Sequence, residues 1–207
     1  MRLRLCILKI LVGVVGVGGL VETTLSTSSL AGVFNIPHLV SPGEFAIGIE
    51  PEVLLSGAGS LGLNLRYTQG ISDMSNLVGI IGTGGGPRQF RFGGAYTFDF
   101  FPDLENQPGI GLAVQGLFVQ TQTAGSYEFT GVPYVHKSFK TTLGEIEPFL
   151  GIPVGIALSS SGTYQGIVNL ALGSLYKHNE NLRIVVEIGI GMANVSSTIS
   201  GGVVYYH

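Results

Sequence analysis

The sequence predicts an all-β protein, a single antiparallel up-and-down β-barrel of about ten strands, with eight as the alternative. Three observations predict it. Apolar residues recur at every second position, short turn sequences separate these stretches, and no uncharged apolar run of about 18 residues follows residue 31. A period of two indicates strands, because successive side chains of a strand point to opposite faces.

The alternation is clearest in three stretches. In 61–68, three leucines and Tyr67 share one face, and in 89–100 four phenylalanines and Tyr96 do so. In 182–193, one face carries only leucine, isoleucine, valine and methionine. The opposite faces mix charged residues with glycine and alanine, so the predicted sheet has one apolar and one polar side.

Turn sequences such as Gly84–Pro87 and His178–Asn181 set the strand boundaries. Pro133 interrupts one strand, and we predict a β-bulge there, since proline cannot donate a ladder hydrogen bond. Several strands reach 12 residues, enough for the ~9–11 residues that a membrane-crossing strand needs. The predicted strands are 43–56, 59–70, 76–84, 88–101, 109–121, 126–140, 147–158, 163–177, 182–195 and 198–206.

The first residues are typical of a secretory signal peptide. A basic start precedes an apolar stretch over 5–21 and a small-residue cleavage site after Ala31. A single membrane anchor is the weaker alternative. Cleavage would remove Cys6, the only cysteine, so we expect no disulfide in the mature chain. The predicted organisation is a signal peptide (1–31), a periplasmic N-terminal arm (32–42) and the barrel (43–207).

The composition excludes several classes of protein. Charged residues make up 11% of the 207 residues, against an ordinary ~25%. This deficit argues against a disordered chain, a coiled coil and a nucleic-acid-binding protein. The histidines are scattered along the sequence, so we expect neither a metal site nor a cofactor.

The spacing of aromatic residues fits a bilayer. Phe90 and Phe100 lie ten positions apart on the apolar face, which is about 33 Å along a strand and about 25 Å in height at a tilt of ~40°. That height matches the lipid-facing band of membrane barrels, which aromatic girdles flank at both interfaces. The predicted girdle residues are Phe90, Phe92, Phe98, Phe100, Phe118, Tyr176 and Tyr205.

The chain resembles the small bacterial outer-membrane β-barrel proteins, a porin-like and OmpW-like class. The resemblance rests on the signal peptide, on an opening strand at Gly43–Glu50 and on a terminal strand ending in Tyr205 and Tyr206, although His207 follows. It implies location in the cell outer membrane, with both termini on the periplasmic side. The implied partners are outer-membrane lipids, the barrel assembly machinery and other envelope proteins.

The polar face of such a barrel would line its lumen. We expect the charges there to form ion pairs, because unpaired charges are costly inside a narrow lumen. They either form a structural polar core or set the ion preference of a narrow channel. The candidate lumen-lining residues are Glu50, Glu52, Arg66, Arg91, Glu128, His136, Arg183 and Glu187.

One short pattern suggests an enzyme. His136 and Ser138 resemble the His-x-Ser pair of the outer-membrane lipid A deacylases, which implies a serine nucleophile and a histidine base. The asparagine-containing stretch that follows the serine in that family is absent. We therefore predict no catalytic residues and keep a lipid-modifying enzyme only as an alternative.

The leading hypothesis is an integral outer-membrane β-barrel with a structural or narrow-pore role. One form of it makes the barrel a membrane component of an envelope assembly for motility or export. The main alternative is a secreted soluble β-sandwich that binds a ligand, in which the apolar face would be a buried core.

Overall fold

The computed structural model describes residues 39–55, 59–85, 88–121, 124–142 and 144–207. Within these ranges there is no helix, and thus none long and apolar enough to cross a membrane. The predicted signal peptide lies outside the described residues. The strands are β1 (Phe45–Leu54), β2 (Ser60–Ser72), β3 (Ser75–Gly84), β4 (Phe90–Phe101), β5 (Gly109–Gln120), β6 (Gly125–His136), β7 (Phe139–Thr141), β8 (Gly144–Gly151), β9 (Val154–Ser159), β10 (Tyr164–Lys177), β11 (Leu182–Ala193) and β12 (Thr198–Tyr206).

These strands close into one antiparallel barrel. β1 to β6 pair in chain order, β10 pairs with β11, β11 with β12, and β12 returns to β1. β8 and β9 each pair with β6 on one side and β10 on the other, so they are two halves of one barrel strand. β7 pairs with β8 alone. The barrel therefore has ten strand positions, and the predicted fold class is confirmed.

The predicted β-bulge at Pro133 is wrong. The ladder between β5 and β6 runs through Pro133 without a shift in register. The irregularity lies in the neighbouring strand, between β8 and β9. Ile152 N donates to Pro133 O at 3.0 Å, but the reciprocal bond cannot form because proline has no N–H. Pro153 lacks a donor toward β10 in the same way, so two prolines at one level divide this strand.

The barrel is apolar outside and polar inside. Large apolar side chains alternate outward along every long strand; Leu61, Phe92 and Ile188, for example, are 72%, 49% and 45% exposed. The intervening side chains point inward and are buried, including Glu50, which is fully inaccessible. A closed ring of strands with this distribution excludes the two-sheet sandwich that the sequence left as an alternative.

The two ends of the barrel differ in what they carry. We call the end where β1 begins and β12 ends the terminal end, and the opposite end the distal end. At the terminal end, the described connections range from the turn Asp73–Met74 between β2 and β3 to residues 102–108 between β4 and β5.

Candidate functional site in the barrel lumen

The structure places the sequence-predicted lumen residues on the inner face. Arg183 lies on the inner face at the terminal end, where its guanidinium sits 3.9 Å from the centroid of the Tyr206 ring. The other seven are buried: Glu50, Glu52, Arg66, Arg91, Glu128, His136 and Glu187. They separate into two groups, one toward the distal end and one at the terminal end.

The distal group is an ionic network of Glu50, Glu52, Glu128, Glu187, Arg66, Arg88 and Arg91. Arg66 pairs with Glu50. Glu52 receives two arginines, with Arg88 Nη2 at 2.7 Å from Oε1 and Arg91 Nη2 at 3.1 Å from Oε2. Because Glu50 and Glu52 lie on β1, Arg66 on β2 and Arg91 on β4, the network ties strands together across the lumen.

Asn64 links the Glu50–Arg66 pair to the pairs that Glu52 forms. Arg91 Nε donates to Asn64 Oδ1 at 2.8 Å, and Asn64 Nδ2 donates to the backbone oxygen of Glu50 at 3.3 Å. Glu128 lies within electrostatic range of Arg88 and Arg91. The distal lumen is thus crossed by charged side chains rather than left open.

Arg88 is a lumen residue that the alternation of the sequence does not predict. Along β4 the odd-numbered residues point inward, so an even-numbered residue was expected to face outward. Arg88 precedes the first residue of β4, and its side chain enters the lumen over the distal end. A basic residue at an apolar position beside a turn is the only sequence signal that could have indicated this.

The terminal group centres on His136. Its Nε2 lies 3.1 Å from Asp99 Oδ2 and its Nδ1 lies 2.7 Å from Glu147 Oε1. Tyr134 Oη donates to the other oxygen of Asp99 at 2.6 Å. Because carboxylates engage both ring nitrogens, neither nitrogen is available to take a proton from Ser138, whose backbone N–H instead donates to Asp103. This geometry disfavours the His-x-Ser pair as a nucleophile and base.

An apolar cluster fills the terminal lumen beside this histidine. Its members are Val40, Ala46, Phe149, Leu175, Val185, Val204 and Tyr206. Six of them come from the barrel strands, but Val40 belongs to the predicted N-terminal arm. Of that arm, residues 32–38 lie outside the described residues. Val40 is buried inside the barrel, whereas Ser41 and Pro42 are exposed. In its described portion, the arm therefore plugs the terminal lumen with the side chain of Val40.

Two contacts hold Val40 in place. Its N–H donates to Oδ1 of Asn76, a buried residue on the inner face of β3, at 3.3 Å. The backbone of Val40 and Ser41 also passes directly over Gly70. A Cβ at Gly70 would lie 2.5 Å from Val40 O and 2.0 Å from Ser41 O, so this close approach requires glycine.

An ion pair between Lys137 and Asp103 stabilises the rim of the terminal end. Lys137 Nζ lies 2.6 Å from Asp103 Oδ1, and Ser138 N donates to Asp103 Oδ2 at 2.7 Å. Lys137 also donates to the backbone oxygens of Leu104 and Gln107. Partial burial opposes ionisation of Asp103, but the hydrogen bonds from Lys137 and Ser138 and the lysine charge outweigh it and lower its pKa.

The predicted girdle residues occupy the outer face near strand ends. Phe90, Phe92 and Phe118 lie toward the distal end, and the other four lie toward the terminal end: Phe98, Phe100, Tyr176 and Tyr205. At the distal end the rings touch across strands. The centroids of Phe92 and Phe118 are 5.4 Å apart, and those of Phe118 and Tyr127 are 5.2 Å apart.

A small cavity lies within the ionic network of the distal lumen. This cavity, beside Glu52, Arg88 and Arg91, measures about 10 Å³, which is room for about one water molecule. No group of three or more histidine, cysteine or acidic side chains in the described part of the chain is arranged to hold a metal ion.

No family model and no curated protein matches this sequence. Among solved structures, the chain is similar to a de novo designed transmembrane β-barrel, with 16% identity, a TM-score of 0.41, and coverage of 81% of this chain and 98% of that one. The N-terminal β-barrel domain of Pseudomonas aeruginosa OprF is 12% identical, with a TM-score of 0.38 and coverage of 80% of this chain and 98% of that one. Ail of Yersinia pestis, the attachment invasion locus protein, is 14% identical, with a TM-score of 0.32 and coverage of 80% of this chain and 99% of that one. Identity and TM-score are low throughout, so these likenesses assign neither family nor role.

Proposed function

We propose that this chain is an integral β-barrel of the bacterial outer membrane, with a closed lumen and a structural role. The observation that carries the proposal is the inverted distribution of its side chains. Carboxylates and guanidinium groups are buried inside, while leucine, isoleucine, valine and phenylalanine cover the outside. A water-soluble barrel would bury the second set and expose the first.

The physical argument for a lipid environment has two parts. Hydrocarbon offers no hydrogen bonds, so a sheet within it must leave no free edge, and the pairing of β12 with β1 meets that condition. The exposed apolar side chains form a continuous belt rather than scattered patches, which is what lipid tails cover. Outer-membrane lipids are therefore the first proposed partner, with the aromatic residues of the outer face at the two interfaces. The barrel assembly machinery would be needed for insertion.

The contents of the lumen favour a structural role over a pore. The ionic network crosses the distal half, and the apolar cluster that includes Val40 fills the terminal end. A conducting path needs continuous space for hydrated ions, but the cavity beside Glu52 holds about one water molecule. The signal-peptide pattern supports export of the chain to the envelope.

Fractionation of cells that produce the full chain tests the location. We expect the protein in outer-membrane fractions, from which only detergent should extract it. Its mass should be that of a mature chain that begins at Gly32. The folded barrel should migrate differently on a denaturing gel before and after boiling. Recovery in the soluble periplasm or medium, with one gel position in both states, would contradict the membrane proposal.

Planar-bilayer recording tests the closed lumen separately. We expect no conductance steps from the purified protein, although a vesicle-flotation assay on the same preparation shows insertion. Regular steps from inserted protein would overturn the closed lumen but leave the membrane location intact.

We further propose that the barrel is a membrane component of a motility or export assembly. Cross-linking in whole cells tests this finer proposal, and we expect cross-links to other envelope proteins. Cross-links to lipids and to the barrel assembly machinery alone would contradict it.

A further inference from the structure

Four buried oxygen atoms at and beside Glu187 have no hydrogen-bond partner among the described residues. They are both carboxylate oxygens of Glu187, Ser200 Oγ and Thr198 Oγ1. Each of these side chains is 4% exposed or less. Buried polar atoms in native proteins are nearly always satisfied, so these adjacent oxygens indicate that something else supplies the interaction.

The strand register brings these residues together. Glu187 on β11 lies opposite Ser200 on β12, and Thr198 lies opposite Gly189, two positions further along β11. Directly opposed residues have Cβ atoms about 4.5–5.5 Å apart and diagonal neighbours about 7–8 Å apart, so one small ligand can bridge Glu187, Ser200 and Thr198.

The charges of the ionic network do not balance. Four carboxylates, on Glu50, Glu52, Glu128 and Glu187, face three guanidinium groups, on Arg66, Arg88 and Arg91. Glu50 pairs with Arg66, and Glu52 takes both Arg88 and Arg91. Glu187 lies within electrostatic range of two other carboxylates, Glu50 and Glu52, as well as of two arginines. Glu128 also lacks a hydrogen-bond partner among the described residues, but the charges within its electrostatic range are those of Arg88 and Arg91. The surplus of one negative charge therefore falls most heavily on Glu187, where burial makes it costly unless it is compensated.

The available ligand atoms define the kind of ion that could compensate it. All four are oxygens, from one carboxylate and two hydroxyls. Oxygen ligands suit hard cations, whereas softer metals prefer histidine or cysteine. A single unbalanced charge calls for a monovalent ion. We propose that the lumen holds one alkali-metal cation of the size of sodium, bound by Glu187, Ser200 and Thr198.

Sodium itself is the probe in the experiment. The folded barrel in detergent is heated at constant ionic strength while sodium chloride is replaced stepwise by the chloride of N-methylglucamine, an ion too large for the lumen. The unfolding midpoint of the wild type should rise with sodium and follow the saturation expected for one site. Glu187→Gln should lose this dependence, because it removes the charge that holds the ion. Glu145→Gln, an acidic residue near the terminal rim that pairs only loosely with Lys177, should keep it.

A second measurement covers the case in which Glu187→Gln does not fold. The sodium-23 nuclear magnetic resonance line should broaden in the presence of the wild-type barrel. Ser200→Ala, which keeps the charge and removes one ligand, should weaken sodium binding several-fold. Identical unfolding midpoints in the two salts, with no broadening, would overturn the proposal and leave a proton on Glu187 as the compensating charge. Neither result depends on where the barrel resides in the cell, so this test and the membrane test fail independently.

Discussion

The two halves of the lumen are filled in different ways. The distal half is crossed by ion pairs, in which Glu52 holds Arg88 and Arg91, and each charge depends on a partner from another strand. The terminal half is packed by the apolar cluster that contains Val40, with one polar chain through His136 beside it. The comparison shows that the interior of a narrow barrel can be filled either by paired charged side chains or by closely packed apolar side chains.

The two halves should also fail in different ways. A buried ion pair contributes little net stability over an apolar replacement, yet removal of one partner leaves the other charge buried and unpaired. An apolar cluster instead loses stability in proportion to the volume removed. Substitutions in the ionic network should therefore act through charge, and substitutions in the terminal apolar cluster and beside His136 through packing and single hydrogen bonds.

The largest effect is expected for Glu52→Gln. This change leaves Arg88 and Arg91 buried with a neutral partner, and loss of one member of a buried pair costs about 3–5 kcal/mol. Urea unfolding of the folded barrel, followed by its gel mobility, measures the loss. Glu145→Gln is the matched control, because its ion pair with Lys177 is exposed and 3.8 Å long, and it should cost under about 1 kcal/mol. Equal losses for the two variants would show that the distal network does not hold the barrel together.

A smaller effect is expected for Tyr134→Phe in the terminal half. The phenol donates to Asp99 at 2.6 Å, and a hydrogen bond to a charged group contributes about 1.5–3 kcal/mol. The phenylalanine keeps the ring and its packing, so the change isolates the hydrogen bond. Tyr96→Phe on the outer face is the control and should unfold as the wild type does. A Tyr134→Phe variant with wild-type stability would mean that His136 alone satisfies Asp99.

The N-terminal plug gives a test of shape. Val40→Ala removes buried volume from the apolar cluster and should cost about 1–2 kcal/mol in the same urea assay. Accessibility gives an independent measurement. In mature chains, a membrane-impermeant maleimide should label Ser41→Cys, which is exposed, and leave Val40→Cys unlabelled until the barrel unfolds. Rapid labelling of Val40→Cys in the folded barrel would show that Val40 does not enter the lumen.

Much of this comparison could be predicted from the sequence. A side-chain period of two assigns each residue to a face, and that was enough to place Glu50, Glu52 and Arg66 together on the polar face. The strand count followed from the turn sequences, because a meander with short connections leaves little freedom in pairing. The face on which a side chain lies and the order of the strands depend on local sequence, so a strongly alternating sequence predicts both.

Three features could not be predicted, each for a physical reason. Which arginine meets which glutamate depends on the stagger of strands around the barrel, and Arg88 lies outside the alternation altogether. The position of Val40 depends on Gly70, 30 residues away, whose missing side chain admits the backbone of the arm. Pro133 has its effect on the adjacent strand rather than its own, because the missing N–H belongs to a ladder shared with Ile152.

The rim of the terminal end should give the smallest effect, and one that depends on pH. The pKa of Asp103 is lowered in the folded protein by Lys137 and the Ser138 N–H, which outweigh the opposing effect of partial burial. Since the folded pKa lies below the unfolded value of about 3.9, the stabilisation is fully present above that pH and is lost as the pH falls through the folded pKa. The rim is close to solvent, so the contribution should stay under about 1 kcal/mol. Asp103→Asn should therefore be less stable than the wild type at neutral pH and should converge with it in increasingly acidic buffer. Asp73→Asn, in an exposed turn at the same end, is the control; a gap between wild type and Asp103→Asn that widens with acid would contradict the sign.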